Sequence, residues 1–139
     1  MKLMTIIAAV GLLASASWAA DVDWKHNYDD ALKQAKTEKK LVVVDVYADW
    51  CGWCKKLDKD VYTDKDVQAK ISKSFVPVKI NPEKSAVNAR VAQNFGVRSL
   101  PHILFLDADG KKISEIIGYV PAGDFLKALE QVSPTPAAK

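Results

Sequence analysis

Apolar and polar positions along the chain follow two rhythms, one typical of buried strands and one typical of helices. Nearly continuous apolar runs, rich in β-branched residues, predict strands at 41–47, 75–80 and 102–106. Helical spacing, opened by capping residues or proline, predicts helices at 28–35, 51–61, 64–71, 85–95 and 121–129. The turn residues at 107–110 predict that 111–117 returns antiparallel to the third strand.

The order of these elements predicts an α/β fold. A strand–helix–strand portion comes first, and a β-hairpin with one covering helix follows it. This order is typical of a central mixed sheet flanked by helices on both faces. The first strand is apolar almost throughout, which indicates a central position covered on both sides.

The two ends of the chain differ from the part between them. Lys2 is followed by an uncharged, mostly apolar stretch over 3–14, and small residues frame a cleavage site at Ala19. This pattern predicts a secretory signal peptide over 1–19, because the apolar run is too short to span a bilayer comfortably as an uncleaved anchor. A single domain over 20–132 and a disordered tail over 133–139 complete the expected organisation.

Charge excludes one class of function. The 139 residues carry a net charge of +3, and the lysines are spread along the chain. A nucleic-acid-binding surface would need a basic stripe interleaved with aromatic residues, which the sequence lacks. No nucleic-acid partner is therefore expected.

The chemistry of the chain centres on its two cysteines. Cys51 and Cys54 follow the predicted first strand and open the helix after it. Residues three apart in a first helical turn are close enough for a disulfide, and a helix N-terminus stabilises a thiolate. This layout predicts a dithiol redox site. Two alternatives stay open, a static disulfide and half of a zinc site completed by His26 and His102.

Four segments carry a family resemblance, at 44–55, 78–81, 95–101 and 117–119. Together they resemble the thioredoxins, and the match covers essentially the whole mature chain in order. Residues 47–51 and 118–119 are most similar to the C-terminal thioredoxin-like domain of the periplasmic thiol:disulfide interchange proteins, here without a membrane-spanning part. The resemblance implies a thioredoxin fold.

The resemblance also implies catalytic roles. Cys51 would be the attacking thiol at the exposed helix end, and Cys54 the more buried resolving thiol. Asp45, an acid inside an apolar strand, matches the buried acid that handles the proton of the resolving cysteine. Lys79 matches the lysine beside that acid, with a solvated strand end as the alternative. Asp58 matches an acidic position near the site, with a solvated helix acid as the alternative.

A second set of residues would bind the substrate. Pro101 matches the cis-proline that faces the disulfide and leaves the backbone of Leu100 free to pair with a peptide; a trans proline at a strand start is the alternative. Trp50 and Gly118 match positions that flank the groove, although Trp50 could also be a core aromatic. Trp53 lies between the cysteines and belongs to the same set.

Two positions depart from the thioredoxin pattern. Trp53 stands where thioredoxin has proline, so its backbone N–H is available to help hold the Cys51 thiolate. We therefore expect a reduction potential less reducing than that of thioredoxin. His102 stands where a small polar residue is usual, either as an ordinary strand residue or near enough to the site to titrate with it.

The resemblance implies an exported, periplasmic thiol:disulfide oxidoreductase that acts on protein substrates, with reduction as the favoured direction. A reductase there needs a membrane electron donor. The expected protein is a monomer without stable membrane insertion after signal cleavage, without a metal, and without a cofactor beyond the Cys51–Cys54 pair. A disulfide oxidase or isomerase is the alternative within this class, and a non-catalytic peptide-binding module is the alternative outside it.

Overall fold

A computed structural model of the protein describes residues 21–134, which form a four-stranded sheet and five helices. The predicted signal peptide and the last five residues of the predicted tail lie outside the described residues. The elements in chain order are α1 Tyr28–Glu38, β1 Leu41–Val46, α2 Gly52–Asp60, α3 Lys65–Ser74, β2 Phe75–Ile80, α4 Ala86–Asn94, β3 His102–Leu106, β4 Lys112–Ile117 and α5 Ala122–Val132.

The sheet has the mixed topology that the sequence predicts. Its strand order is β2-β1-β3-β4. β1 runs parallel to β2, β3 runs antiparallel to β1, and β4 runs antiparallel to β3. β1 is central, and its residues from Val42 to Val46 are all buried. The α/β fold class is confirmed.

Polar side chains at the helix starts explain where three of the helices begin. The Asn27 side chain accepts a hydrogen bond from the backbone N–H of Asp30, and Ser85 accepts one from Asn88. Asp64 caps α3 in the same way. Each cap satisfies a backbone donor that the helix itself leaves free. The capping residues in the sequence therefore predict where these three helices begin.

The central strand separates two hydrophobic cores. Val42, Val44 and Val46 pack on one face, in the core that α1 and α4 cover. Val43 packs on the other face, among the residues of α2, α3 and α5. Because side chains alternate along a strand, Asp45 shares the face of Val43. The acid therefore points toward the side of the sheet that carries α2.

The segment before α1 lies along the outer side of β2. The backbone N–H of Lys25 donates to the carbonyl of Pro77, and the N–H of Lys79 donates to the carbonyl of Lys25, both at 2.9 Å. These bonds form a short parallel bridge that holds Trp24 beside β2. Within residues 21–134, no helix has the length and apolar character needed to cross a membrane.

A glycine in the hairpin turn gives a test of the fold. Gly110 has φ +82°, and a Cβ there would lie 3.1 Å from the Tyr28 hydroxyl oxygen. We expect Gly110→Ala to lower the free energy of unfolding by about 1–3 kcal/mol, from the left-handed backbone and the contact combined. Gly123→Ala, in a helix with open space around it, should raise that energy by about 0.5–1 kcal/mol. Urea denaturation measures both; equal stability of the two variants would contradict the described turn.

Candidate active site

The two cysteines form a disulfide at the start of α2. Cys51 is the residue that caps the helix, and Cys54 lies in its first turn, with a Cα–Cα distance of 5.3 Å between them. The backbone N–H of Cys54 donates to Cys51 Sγ at 3.2 Å. A helix-start N–H at this sulfur also stabilises a thiolate there. That contact comes from Cys54, whereas the sequence had suggested the N–H of Trp53.

The disulfide is covered rather than exposed. Cys51 is 4% exposed and Cys54 is 2% exposed. Ala48 packs against both, with Tyr47 and Leu100 beside it. The expectation that Cys51 stands exposed at the helix end is wrong for the disulfide form, because these neighbours cover the start of the helix. What distinguishes the two sulfurs is the N–H contact at Cys51.

Asp45 is a fully buried acid with one cationic partner. Asp45 and Lys79 are register partners on β1 and β2, and Lys79 Nζ lies 2.9 Å from Asp45 Oδ2. Burial raises the pKa of Asp45 above its ordinary value, although the charge of Lys79 acts in the opposite direction. Asp45 therefore holds a proton more readily than an exposed acid does, as a proton acceptor near neutral pH requires.

Lys79 connects this acid to the helix that carries the cysteines. Its Nζ also lies 2.6 Å from Oδ1 of Asp58, which is four residues after Cys54 on α2. Burial would lower the pKa of Lys79, but the Asp45 charge and hydrogen bonds to both carboxylates raise it above its usual range. Its side chain is only 12% exposed, so the alternative of a solvated strand end is wrong. Asp58, half exposed, belongs to the same ion network.

Aromatic rings surround the ammonium group of Lys79. Its Nζ lies 4.7 Å from the ring centroid of Tyr47, 5.1 Å from Trp24 and 5.4 Å from Tyr62. A cation over aromatic faces is attracted by their ring quadrupoles, which partly replaces the water lost on burial. The sequence did not single out Trp24 or Tyr62, because an aromatic residue in an amphipathic pattern indicates only a core position.

The other side of the disulfide is formed by the approach to β3. Leu100 packs against the cysteines, and the peptide bond between Leu100 and Pro101 is cis. The carbonyl of Pro101 accepts a 2.8 Å hydrogen bond from the N–H of Gly118. Gly118 has φ +90°, a conformation that favours glycine. The structure thus brings three of the predicted substrate-binding residues together beside the disulfide.

Two tryptophans flank the cysteines on the surface. Trp50 is 68% exposed and Trp53 is 59% exposed, so the alternative of Trp50 as a core aromatic is wrong. The indole N–H of Trp50 donates to Glu83 at 2.6 Å, and the Trp53 ring lies 5.5 Å from that of Tyr119. Each indole thus has a defined contact while more than half of the residue stays exposed.

Each tryptophan lines a surface cavity, and Leu100 lines both. The cavity beside Trp50 has a volume of about 340 Å³, and the cavity beside Trp53 has a volume of about 280 Å³. Pro101 and Gly118 line the second cavity. Leu100, which borders both cavities, also packs against the cysteines, and we call the surface formed by the two cavities the groove.

His102 lies on the opposite face of the sheet from Asp45. It is the register partner of Val46, and it is 3% exposed. Its Nε2 lies 2.8 Å from Oε2 of Glu115. The pKa of Glu115 is lowered by this hydrogen bond and by Lys112. His102 therefore has no place in the ion network of Asp45. Among residues 21–134, no group of three or more His, Cys, Asp or Glu side chains is arranged to hold a metal ion.

Comparison with known proteins shows the family to which this chain is related. The family model of the thioredoxin-like domain matches residues 28–133. The thiol:disulfide interchange protein DsbD of Actinobacillus pleuropneumoniae is 37% identical over 102 residues, which are 72% of this chain and 18% of that protein.

Solved structures agree with this match. The reduced C-terminal domain of DsbD from Neisseria meningitidis superposes with a TM-score of 0.62 at 26% identity, covering 74% of this chain and 91% of that domain. A thioredoxin from Thermus thermophilus superposes with a TM-score of 0.74 at 23% identity, covering 83% and 89%. The fold is thus that of thioredoxin, as the sequence resemblance implied. The chain spans less than a fifth of the length of the curated relative described above.

The buried acid gives a testable pH dependence of stability. The pKa of Asp45 is higher in the folded protein than in the unfolded chain, where it is near 3.8. Stability is therefore lost as the pH rises from 3.8 through the raised pKa of the folded protein. Asp45→Asn removes this loss, so we expect it to raise the free energy of unfolding by about 1–3 kcal/mol at pH 8 and to add little at pH 3.5.

The matched control for this variant is Asp49→Asn. Asp49 is an exposed acid, paired at 3.3 Å with the equally exposed Lys84, and such pairs contribute little. Its stability should follow the wild type at every pH in urea titrations. A gain for Asp45→Asn that is the same at pH 3.5 and pH 8 would show that the carboxyl is not perturbed by burial.

Proposed function

Because the chain belongs to the thioredoxin-like family, we propose that it is an exported thiol:disulfide oxidoreductase that reduces disulfides in protein substrates. The family match and the similarity to the interchange proteins support a disulfide oxidoreductase. The observation that carries the proposal is the Cys51–Cys54 disulfide, which caps α2 on the side of the sheet where Asp45 is buried. A disulfide that only cross-links a helical turn does not require a buried acid on the same side of the sheet.

The proposed reaction passes two electrons from the dithiol to the substrate. The Cys51 thiolate attacks one sulfur of a substrate disulfide, the substrate S–S bond breaks, and one substrate thiolate leaves. Cys54 then loses its proton and attacks Cys51 Sγ. The mixed disulfide breaks, the second substrate thiolate leaves, and the Cys51–Cys54 disulfide forms. Two protons accompany the two electrons to the two substrate thiols.

Asp45 is the proposed acceptor of the Cys54 proton, and Lys79 is the proposed partner that lets it ionise. A buried carboxyl with a raised pKa is a stronger base than an exposed one. Lys79 offsets the charge of the ionised Asp45 at a contact of 2.9 Å, and it also contacts Asp58 on the helix that carries the cysteines. A proton that moves from Cys54 to Asp45 therefore changes the net charge of the group formed by Asp45, Lys79 and Asp58.

The groove beside the disulfide is the proposed substrate site. The backbone at Leu100 would pair with an extended segment of the substrate, next to Pro101 and Gly118. Trp50 and Trp53, exposed at either side, would cover apolar side chains that flank the substrate cysteine. Such a groove accepts many sequences, because its contacts are backbone pairing and apolar surface.

Turnover as a reductase requires a dithiol donor that reduces the Cys51–Cys54 disulfide again. We propose a membrane protein as this donor and the periplasm as the compartment, on the basis of the predicted signal peptide and of the interchange-protein similarity. The proposed protein works as a monomer and needs no cofactor beyond its cysteine pair. Its potential is proposed to lie between about −270 mV, as in thioredoxin, and about −180 mV, as in protein disulfide isomerase.

Insulin reduction separates the proposed enzyme from a non-catalytic peptide-binding module. With dithiothreitol as the reductant, the protein should accelerate the precipitation of reduced insulin chains, and a module with a static disulfide should not. An equilibrium titration of the cysteine pair against glutathione then gives the potential. A value well above −180 mV would favour an oxidase or isomerase over a reductase.

The assignment of the two thiols predicts opposite behaviour of two variants. Cys54→Ala should accumulate mixed disulfides with exported proteins, because the resolving thiol is missing. Cys51→Ala should accumulate few or none, because the attacking thiol is missing. Acid quenching, non-reducing electrophoresis and mass spectrometry detect the adducts. Greater accumulation with Cys51→Ala would reverse the assignment.

A further inference from the structure

Two buried polar atoms in the Asp45 region make no hydrogen bond of ordinary length and angle within residues 21–134, although the two groups interact with each other. They are Oδ1 of Asp45 and the hydroxyl of Tyr62. Asp45 is fully buried, and Tyr62 is 5% exposed. An unpartnered polar atom in a protein interior is uncommon and indicates strain or a functional role. Asp45 Oδ2 already contacts Lys79, so Oδ1 is the carboxyl oxygen left for another donor.

The ring of Tyr62 is fixed by its neighbours. It packs against Trp24 with ring centroids 4.7 Å apart and meets Phe125 edge to face at 5.6 Å. Trp24 is held in turn by the bridge between the N-terminal segment and β2. The Tyr62 hydroxyl therefore has a defined position rather than a choice of rotamers.

The hydroxyl and the carboxyl of this pair act on each other. Burial, and then the nearby Asp45 carboxylate, raise the pKa of Tyr62 well above its usual value, so the hydroxyl keeps its proton. The other groups facing Asp45 are Lys79 from β2 and Asp58 from α2. Its register partner on β3 is the apolar Ile103. Among these groups, Tyr62 is the neutral donor.

We propose that Tyr62 is a positioning residue for Asp45: its hydroxyl donates a hydrogen bond to Oδ1 when the carboxyl is ionised and so weakens the hold of the acid on its proton. Lys79 and Tyr62 then serve one carboxyl oxygen each. The inference rests on the proposed function in one respect, namely that Asp45 acts on the Cys54 proton. The residues that resemble thioredoxin in the sequence do not include Tyr62. Only the fold places Tyr62 beside Asp45.

Tyr62→Phe tests this inference because it removes the hydroxyl and keeps the ring. The carboxyl carbon of Asp45 is followed by NMR across pH in the disulfide form of the full chain. Loss of a hydrogen bond to the charged form should move the Asp45 midpoint upward by about one pH unit or more. An unchanged midpoint, or a downward shift, would overturn the proposal.

Tyr47→Phe is the matched control. Its ring contacts the same Lys79 ammonium, and its hydroxyl makes no hydrogen bond to Asp45 in the described part of the chain. It should leave the Asp45 midpoint where the wild type has it; a shift as large as that of Tyr62→Phe would overturn the specific role. The Tyr62 Cζ signal of the wild type provides a measurement that needs no variant, and it should move with the Asp45 midpoint. A signal that does not respond to Asp45 would overturn the proposal.

A kinetic measurement separates this inference from the proposed function. The pH profile of mixed-disulfide resolution should move upward in Tyr62→Phe together with the Asp45 midpoint. If the midpoint moves and the profile does not, Tyr62 positions Asp45 as proposed, and the role of Asp45 in the reaction is wrong.

Discussion

The structure depends on a carboxylate that lies where water cannot reach it. Asp45 sits in the central strand with no exposed surface, and an isolated charge in such a place is too costly to persist. The contacts around it answer this constraint. Lys79 supplies the opposite charge, and its ammonium group also contacts the Asp58 carboxylate. Three aromatic rings surround the same ammonium group. A buried charge network of this kind adds little net stability, and the proposed function gives it a role in the chemistry of the disulfide.

The fold assembles this network through strand register and helix spacing. Parallel pairing of β1 and β2 makes Asp45 and Lys79 direct neighbours on one face of the sheet. The same face carries α2, whose first turn holds the disulfide and whose second turn holds Asp58. The disulfide and the ion network of Asp45 therefore meet on one helix, α2. Leu100, which lines both surface cavities, packs against the cysteines, whereas Asp45 lies in the central strand beneath α2.

Sequence reasoning could predict the parts of this site that are encoded locally. The apolar run before Cys51, the cysteine spacing and the odd acid at position 45 each stand out within a short window. The role of Lys79 depended on a strand pairing that only the fold decides, and the face of His102 depended on register in the same way. Trp24 and Tyr62 were missed because aromatic residues in amphipathic patterns carry no sign of a charged neighbour. The burial of Cys51 was missed because part of its cover comes from Leu100, far along the chain, in addition to Ala48 and Tyr47.

The most direct test of this account is the titration of the Asp45 carboxyl in both redox forms of the wild-type protein. Carbon NMR of labelled aspartate follows the residue with the Cys51–Cys54 pair oxidised and then reduced. The account predicts a pKa above the ordinary value of 3.8 in the disulfide form and a different value in the dithiol form, because the acid and the thiols share proton equilibria. A carboxyl that titrates at its ordinary value in both forms would contradict the coupling of this buried acid to the disulfide.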